Sequence, residues 1–164
     1  MHKLLLIRHA KSSHKFFQLD DHDRPLNERG ERDAIKMARW LANSKESLDV
    51  IYSSTARRSL KLAERIHQFT GTLIDDRSTF YTFNERQLLD SLTHLPSSHS
   101  KVAVVGHNPA ITYVANYLTR NNIDNIPTSG IVAIDCNILS WNELENNVCK
   151  LNYFVYPKML NVTK

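Results

Sequence analysis

The chain has 164 residues, of which 41% are apolar and 23% are charged, and its formal net charge is +4. This length and composition predict one folded domain and exclude a disordered chain. The charge surplus is too small to indicate a nucleic-acid-binding protein by itself. It is unevenly distributed, however, because residues 1–82 hold 15 basic and 11 acidic side chains, whereas residues 83–164 hold 6 of each.

Strands and helices alternate along most of the chain. The apolar pattern predicts, in order, a strand at 3–7, a loop at 16–25, a helix at 28–44, a strand at 48–52, a helix at 56–69, a strand at 72–75, a helix at 84–95, a strand at 101–105, a helix at 109–119, and strands at 130–139 and 148–156. The last two strands flank a polar segment and predict a hairpin. This order predicts a three-layer α/β/α sandwich with a mostly parallel central sheet and a C-terminal antiparallel hairpin. We expect a single domain over 1–156 and a loose C-terminal tail over 157–164.

Three helix boundaries carry local signals in the sequence. Asn27 is a predicted N-cap, because its side chain can accept a hydrogen bond from a free backbone N–H of the first turn. Gly71 is a predicted stop, since glycine readily adopts the left-handed conformation that ends a helix. Asn108 followed by Pro109 predicts the start of the fourth helix.

The sequence gives no sign of membrane insertion or export. No apolar run approaches the roughly 18–20 residues needed to span a bilayer, and the first residues lack the apolar stretch of about 7–15 residues of a signal peptide. We therefore expect a cytoplasmic protein with no membrane partner. Cys136 and Cys149 fit neither a zinc site nor a disulfide scaffold, and they are predicted to be buried free thiols.

Histidines and arginines follow three of the predicted strands. Arg8 and His9 come directly after the first strand, Arg57 and Arg58 come shortly after the second, and His107 comes after the fourth. Ligands of open α/β sheets bind outside the carboxyl ends of the strands, so we expect these side chains to lie close together. The planar arginine fork suits phosphate, because it donates two parallel hydrogen bonds. The cluster therefore predicts a site for a phosphorylated substrate.

A histidine within such a cluster has a chemical use. Positive neighbours disfavour the imidazolium, so the ring stays neutral and keeps a lone pair that can attack a phosphoryl group. Phosphoryl transfer otherwise needs positioning and charge neutralisation, which arginines supply without a metal. Asp20, Asp21 and Asp23 lie on a loop with no matching acids at strand ends, so we expect no magnesium site and no cofactor. Ordinary surface or core roles are expected for His2, His14, His22, His67, His94 and His99.

Four motifs occur in order between residues 4 and 109: Leu-Leu-Ile-Arg-His-Ala-Lys-Ser-Ser, Asp-Arg-Pro-Leu-Asn-Glu-Arg-Gly, Ser-Ser-Thr-Ala-Arg-Arg and Val-Gly-His-Asn-Pro. Together they resemble the histidine phosphatase superfamily, which includes cofactor-dependent phosphoglycerate mutases, and within it the SixA-like phosphohistidine phosphatases. Ala10 stands where the superfamily usually has glycine after Arg-His, and Thr55 stands where the third motif usually has proline.

The resemblance implies a role for each matching residue. It implies that His9 is the nucleophile that becomes phosphorylated and that Arg8 and Arg58 bind the phosphoryl group. It further implies that His107 donates to a phosphoryl oxygen and that Arg24 also faces the phosphate. Arg57 precedes the arginine that matches the third motif, and it is expected to be a helix-surface or rim charge.

The proton donor of the larger superfamily members has no clear counterpart. Asn108 stands where one branch places an aspartate after the second histidine, and Glu85 is the nearest candidate for the glutamate of another branch. Glu85 is equally explained as an acid favoured by the helix dipole in a first helical turn. A phosphohistidine substrate needs little help here, because imidazole leaves more readily than an alkoxide. The predicted elements also leave no insertion to cover the pocket, which favours phosphate displayed on a protein.

Several alternatives remain beside a phosphohistidine phosphatase. A small-molecule phosphomonoesterase or phosphomutase would use the same chemistry, and a carboxylate of raised pKa near His9 would favour it. A non-catalytic phosphoprotein-binding module would normally have lost one of the matching residues. A nucleic-acid binder would need a basic stripe with interleaved aromatic residues, which is not evident. The expected partner is a phosphorylated protein, not a nucleic acid, and nothing in the sequence indicates the oligomeric state.

Overall fold

The computed structural model describes residues 1–161, and the elements follow the predicted order. The strands are β1 (His2–Arg8), β2 (Val50–Ser53), β3 (Ile74–Asp76), β4 (Lys101–Gly106), β5 (Ile131–Cys136) and β6 (Cys149–Val155). The α-helices are α1 (Glu28–Asn43), α2 (Arg57–Thr70), α3 (Glu85–Thr93) and α4 (Ala110–Thr119). Short 3-10 helices lie at Asp21–Asp23, Ser78–Phe80, Trp141–Glu143 and Pro157–Asn161.

The six strands form one sheet in the order β3-β2-β4-β1-β5-β6. Strands β3, β2, β4 and β1 run parallel, whereas β5 pairs antiparallel with β1 and β6 pairs antiparallel with β5. The predicted mostly parallel sheet with a C-terminal hairpin is therefore confirmed. The carboxyl ends of the four parallel strands lie at the same edge of the sheet. The predicted site residues come after these strand ends in the chain.

Both faces of the sheet are covered by helices, which explains why its strands are apolar on both sides. Along β1, Leu4 and Leu6 pack in the core under α3 and α4, whereas Leu5 and Ile7 pack in the core under α1 and α2. All four side chains are fully buried. The alternation follows from the strand geometry, in which successive side chains point to opposite faces. The three-layer sandwich predicted from the sequence is thus confirmed.

The helix boundaries follow local chemistry with one difference. Asn27 accepts a hydrogen bond from the N–H of Gly30 at 2.8 Å, and Gly71 ends α2 with a φ of +78°. The fourth helix begins at Ala110, one residue later than predicted. Asn108 still stabilises its first turn, because its side-chain oxygen accepts from the N–H and the hydroxyl of Thr112.

The segment between β1 and α1 is closed at its base. Ser12 and Leu26 form an isolated antiparallel bridge, and the N–H of Ser13 donates to the carbonyl oxygen of Pro25 at 2.8 Å. The first turn of α1 approaches this base so closely that a Cβ at Gly30 would overlap the carbonyl oxygen of Lys11. Glycine is therefore required at position 30, where the second motif of the sequence packs against the first.

The two cysteines differ from their prediction as free thiols. Cys136 and Cys149 are register partners across the β5–β6 hairpin, with Cα atoms 4.1 Å apart, and they form a disulfide. The prediction was wrong because it considered only spacing along the chain. Directly opposite positions of an antiparallel pair bring the two Cβ atoms close together.

The C-terminal residues also differ from the expected loose tail, as far as they are described. Pro157 is buried in a 3-10 helix that ends at Asn161, and Leu160 packs against the core under α1 and α2. Apolar contact with α1 therefore orders this segment. Residues 162–164 lie outside the described residues. No helix of residues 1–161 is long and apolar enough to cross a membrane.

Candidate active site

Two histidines meet at the carboxyl edge of the parallel strands. The N–H of His9 donates to the carbonyl oxygen of Gly106 at 3.0 Å, which ties the end of β1 to the end of β4. His107 follows Gly106 directly, and the ring centroids of the two histidines lie 5.2 Å apart. The parallel register of β1 and β4, which pairs Arg8 with Gly106, thus places both rings side by side. The sequence prediction that they share one edge is met by this geometry.

His9 is oriented by the backbone that follows it. Its Nδ1–H donates to the carbonyl oxygen of Ala10 at 2.8 Å, so Nε2 carries the lone pair. This contact uses only a backbone atom, and Ala10 has no positive φ, which explains why alanine can stand where the related sequences have glycine. Burial lowers the pKa of His9 to about 3, helped by the charges of Arg58 and Arg8 and opposed by the Ala10 hydrogen bond. The ring is therefore neutral at physiological pH.

His107 is enclosed more tightly, with 1% of its surface exposed. Its Nε2 lies 2.7 Å from the hydroxyl of Ser54, which itself accepts a hydrogen bond from the N–H of Ala56. The rings of Tyr81 and Phe83 pack beside it with centroids 5.3 and 5.1 Å away. Burial, and then the charge of a protonated His9, lower the pKa of His107 to about 3. With Nε2 held by Ser54, Nδ1 is the ring nitrogen that faces the guanidinium of Arg58.

Arg58 is the most deeply buried cation of the site, with 1% of its surface exposed. Its Nη2 lies 3.4 Å from His107 Nδ1, and its buried Nε has no hydrogen-bond partner among the described residues. The preceding Arg57 is exposed at the surface of α2. The structure therefore places position 58 in the pocket and position 57 outside it, as the register of the motif suggested.

Arg8 and Arg24 approach the same histidine from other directions. Arg8 Nη1 donates to the carbonyl oxygen of Ile126 at 3.0 Å, and its buried Nε lacks a partner within residues 1–161. Arg24 Nη1 donates to the hydroxyl of Ser12 at 2.7 Å. The positive charges of both arginines lower the pKa of His9, after the larger effect of burial. All five residues predicted for the site are thus brought together.

A sixth residue of the cluster was missed by sequence reasoning. The carboxylate of Asp21 bridges two arginines, with Oδ1 3.0 Å from Arg24 Nη2 and Oδ2 2.8 Å from Arg58 Nη2. Tyr81 donates its hydroxyl to Oδ2 at 2.8 Å. Asp21 lies in the segment predicted as a plain loop, and its contact with Arg58 spans 37 positions of the chain. No local pattern announces such a contact.

The backbone around Arg8 and His9 is held by a second residue that the sequence did not single out. The N–H of Ser129 lies 3.0 Å from the carbonyl oxygens of both Arg8 and His9. Ser129 adopts a positive φ of +62°, and its buried hydroxyl has no partner in the described part of the chain. Ser129 lies two residues before β5, so only its place next to a strand could have drawn attention to it.

The two candidate proton donors lie elsewhere or are otherwise engaged. Glu85 is the exposed first residue of α3 and lines a groove with Leu89 and Tyr113, and within residues 1–161 it makes no hydrogen bond to either site histidine. The side chain of Asn108 donates to the carbonyl oxygen of Ile126 and accepts from Thr112. Neither residue presents an acid to His9 in this arrangement.

Positive charge at the site comes from arginine side chains. Within the described residues, no group of three or more His, Cys, Asp or Glu side chains is arranged to hold a metal ion. Arginine donors can neutralise the equatorial oxygens of a phosphoryl group, so the residues present fit a phosphate site.

Comparison with known proteins agrees with this arrangement. The model of the histidine phosphatase superfamily (branch 1) matches residues 4–84. An uncharacterized chloroplastic protein of Arabidopsis thaliana is 30% identical over 152 residues, which cover 86% of this chain and 69% of that protein. The chain belongs to the histidine phosphatase superfamily. The family match, over residues that include His9, Arg24 and Arg58, supports a phosphatase activity for this protein. An uncharacterized protein of Mycobacterium leprae (strain TN) is 27% identical over 165 residues, which cover 93% of this chain and all of that protein.

Solved structures with the same fold include other histidine phosphatases. SixA from Agrobacterium tumefaciens superposes with a TM-score of 0.80 at 24% identity, covering 95% of this chain and 98% of that one. The protein histidine phosphatase SixA in complex with tungstate also has a TM-score of 0.80, at 18% identity and 96% and 99% coverage. The mycobacterial glucosyl-3-phosphoglycerate phosphatase has a TM-score of 0.67 at 13% identity, with 93% and 98% coverage. These likenesses establish the shared fold.

Proposed function

We propose that this histidine phosphatase removes phosphate from phosphohistidine in proteins, through a phosphorylated His9 and without a metal ion. The observation that carries the proposal is a neutral His9 whose Nδ1 is fixed by Ala10, so that the lone pair of Nε2 is free beside three arginines. A neutral imidazole held next to a bound phosphoryl group is a nucleophile.

The reaction has two steps that differ in the acceptor of the phosphoryl group. First, His9 Nε2 attacks phosphorus, and the bond between phosphorus and the substrate nitrogen breaks with its electron pair staying on that nitrogen, so that a substrate ring protonated on its other nitrogen leaves as neutral imidazole. Water then attacks the phosphorylated His9, releasing inorganic phosphate and restoring the neutral ring. In both steps, Arg8, Arg24 and Arg58 neutralise charge on the phosphoryl oxygens. The buried Nε atoms of Arg8 and Arg58 supply donors that no acceptor among residues 1–161 uses.

His107 takes the position of an oxygen-binding donor in this scheme. In this structure Nδ1 accepts from Arg58 Nη2, because a guanidinium only donates, so the ring proton lies on Nε2 and is donated to the hydroxyl of Ser54. A bound phosphoryl dianion takes the donors of Arg58 and favours a proton on Nδ1, from which the ring donates to a phosphoryl oxygen. Ser54 therefore acts as a positioning residue through the ring that it orients.

The substrate class is supported by the state of the carboxylate that lies at the site. Burial would raise the pKa of Asp21, but hydrogen bonds from Arg58, Tyr81 and Arg24 outweigh it and hold that pKa well below the ordinary value. Asp21 is therefore ionised and cannot donate a proton to a leaving alkoxide. A phosphohistidine needs little such help, because its leaving group is an imidazole. The structural similarity to SixA also favours a phosphohistidine substrate.

Trapping the intermediate tests the chemistry. A small phosphoramidate donor is expected to label His9 with an acid-labile phosphate, which mass spectrometry of a rapid digest detects. His9→Ala is the matched control and should carry none. Labelling of another residue would contradict the assignment of the nucleophile.

A comparison of substrates tests the specificity. We expect a higher kcat/KM for a phosphohistidine-bearing protein than for small sugar phosphates. Faster hydrolysis of the sugar phosphates would favour the phosphomonoesterase or phosphomutase alternative. Binding of phosphoprotein without turnover by the wild-type chain would favour a non-catalytic module.

The proposal includes the cytoplasm as the place of action. Cytoplasmic proteins rarely keep disulfides, so the pair formed by Cys136 and Cys149 makes this testable. Thiol trapping in intact cells, followed by mass spectrometry, is expected to find both cysteines reduced while the protein is in the cytoplasm, with the bridge between the two register partners forming once the protein meets an oxidant. A fully oxidised pair in cells would contradict the cytoplasmic location.

A further inference from the structure

The carboxylate of Asp21 is hydrogen-bonded to two of the three arginines that bind the phosphoryl group in our proposal, Arg24 and Arg58. Its Oδ1 accepts from Arg24 Nη2 at 3.0 Å and its Oδ2 accepts from Arg58 Nη2 at 2.8 Å. Tyr81 adds a third donor at 2.8 Å, and the backbone carbonyl of Asp21 accepts from Arg58 Nη1 at 2.6 Å. An anion held by two guanidinium groups and a phenol has the same kind of surroundings as a bound phosphate.

The turn that carries Asp21 is anchored on both sides. His22 Nε2 lies 2.9 Å from the hydroxyl of Thr55, just before α2, and the His22 ring packs edge-on against Tyr81 at 4.9 Å. These contacts hold the 3-10 helix Asp21–Asp23 across the pocket. They also explain Thr55, which stands where related sequences have proline, because a proline could not make this hydrogen bond. The contacts of His22 therefore fix the position of the Asp21 carboxylate in the pocket.

We propose that Asp21 is the internal counter-ion of the phosphate pocket: it positions Arg24 and Arg58, and it weakens the hold of these arginines on free phosphate. The inference rests on the proposed function, since it assumes that both arginines bind the phosphoryl group. It adds a positioning residue and a role in product release to that function.

The physical reason is the difference between a reacting phosphoryl group and the product. Three arginines around one neutral histidine would bind a phosphate dianion tightly and hold it after hydrolysis. Tight binding of product does not accelerate the reaction, because only interactions stronger in the transition state than in the ground state do so. A fixed negative charge beside two of these arginines repels the dianion, while its hydrogen bonds keep the guanidinium groups oriented.

The experiment measures the affinity for inorganic phosphate in Asp21→Asn and Asp21→Ala, by isothermal titration calorimetry at low ionic strength. Both variants remove the charge, and Asn keeps the shape of the side chain. Asp23→Asn is the matched control. Asp23 lies in the same turn, carries the same charge, is exposed, and pairs with His22, not with either arginine.

We expect the Kd for phosphate to fall about tenfold in both Asp21 variants, since one nearby like charge is removed. The Asp23→Asn variant should stay within about twofold of the wild type, because its charge is exposed and screened. With a small phosphoramidate, the Asp21 variants should show a lower KM together with a lower kcat, because binding tightens while the arginines lose their orientation. A purely structural role would raise KM and weaken phosphate binding.

Thermal denaturation with and without phosphate gives a second measurement. The phosphate-induced rise in Tm should be larger for the Asp21 variants than for the wild type, because ligand stabilisation of a fold grows with the ratio of free ligand to Kd. Unchanged or weaker phosphate binding in the Asp21 variants would overturn the inference, and so would equal tightening in Asp23→Asn. A wild-type protein that neither binds phosphate nor labels His9 would instead contradict the proposed function.

Discussion

Strand β1 carries a histidine at its first residue and another directly after its last, and the two differ in what surrounds them. His2 is 6% exposed and packs edge-on against Trp141 at 4.7 Å, and within residues 1–161 neither ring nitrogen makes a hydrogen bond of normal geometry. His9 also lies within the fold, but its Nδ1 is fixed by Ala10 and its neighbours include three arginines. One strand therefore presents the same side chain to two opposite environments.

Burial lowers the pKa of both residues, so both are held neutral. For His2 the next cause is the positive amino terminus, whereas for His9 it is the charge of Arg58 and Arg8, after the opposing hydrogen bond. A neutral imidazole alone does not make a catalytic site. The difference lies in the donors beside His9, which can bring a phosphoryl group to the free lone pair.

Removing each ring in turn tests whether the two histidines differ in function. His9→Ala is expected to reduce phosphatase activity to background while leaving the fold intact, because the nucleophile is lost. His2→Leu should keep wild-type kcat and KM, since His2 lies at the opposite end of the strand. Steady-state kinetics and circular dichroism on both variants check this. Retained activity in His9→Ala would refute the role of its ring.

The arginines that distinguish His9 from His2 give the second largest effect. Arg58→Ala should remove roughly 2–4 kcal/mol of transition-state stabilisation, as expected for one preorganised donor. The exposed Arg57 provides the control, and Arg57→Ala should leave kcat/KM nearly unchanged. A greater loss in Arg57→Ala would mean that the wrong arginine has been assigned to the pocket.

The stability of the fold at low pH also depends on the state of the His9 ring. The folded-state pKa of His9 is about 3, below the ordinary value of 6.5, so the unfolded chain binds a proton that the folded chain does not. The contribution of the neutral His9 ring to the free energy of unfolding is therefore complete above pH 6.5 and is lost as the pH falls toward 3. His9→Asn should reduce the slope of unfolding free energy against pH by up to about 1.4 kcal/mol per pH unit in this window. Urea denaturation at several pH values measures it, and an unchanged slope would contradict a neutral His9.

A smaller effect is expected at the other end of the strand. His2→Leu replaces two buried nitrogens that lack good partners, so the free energy of unfolding at pH 7 should rise by about 1 kcal/mol. Chemical denaturation of the variant against the wild type measures this difference. A loss of stability would show that the His2 ring makes favourable polar interactions that leucine cannot replace.

Removal of metal ions should have the smallest effect of all. We expect EDTA to leave turnover of a phosphoramidate unchanged, because arginines supply the positive charge around His9. Activity with and without added Mg²⁺ after chelation checks this. A loss that Mg²⁺ restores would require a metal beside the arginines.

The sequence was a good guide to whatever depends on strand order. The apolar strands and their alternation with helices predicted the sheet, and the carboxyl-edge rule then predicted that His9 and His107 share one site. Asp21 could not be predicted, because its bond to Arg58 depends on how a surface turn folds across the pocket. The disulfide between Cys136 and Cys149 was missed for a related reason, since it depends on hairpin register rather than on spacing in the chain.

The bridge between Ser12 and Leu26 has a consequence for how the substrate range could evolve. It joins the two ends of the segment from 13 to 25, so that the exposed residues 14–20 can be exchanged or lengthened without moving β1 or α1. His9 lies just outside this closure, whereas Asp21 and Arg24 lie within it and hydrogen-bond to each other in the candidate site. New substrate specificities could therefore arise at residues 14–20 while the cluster of arginines around His9 is kept.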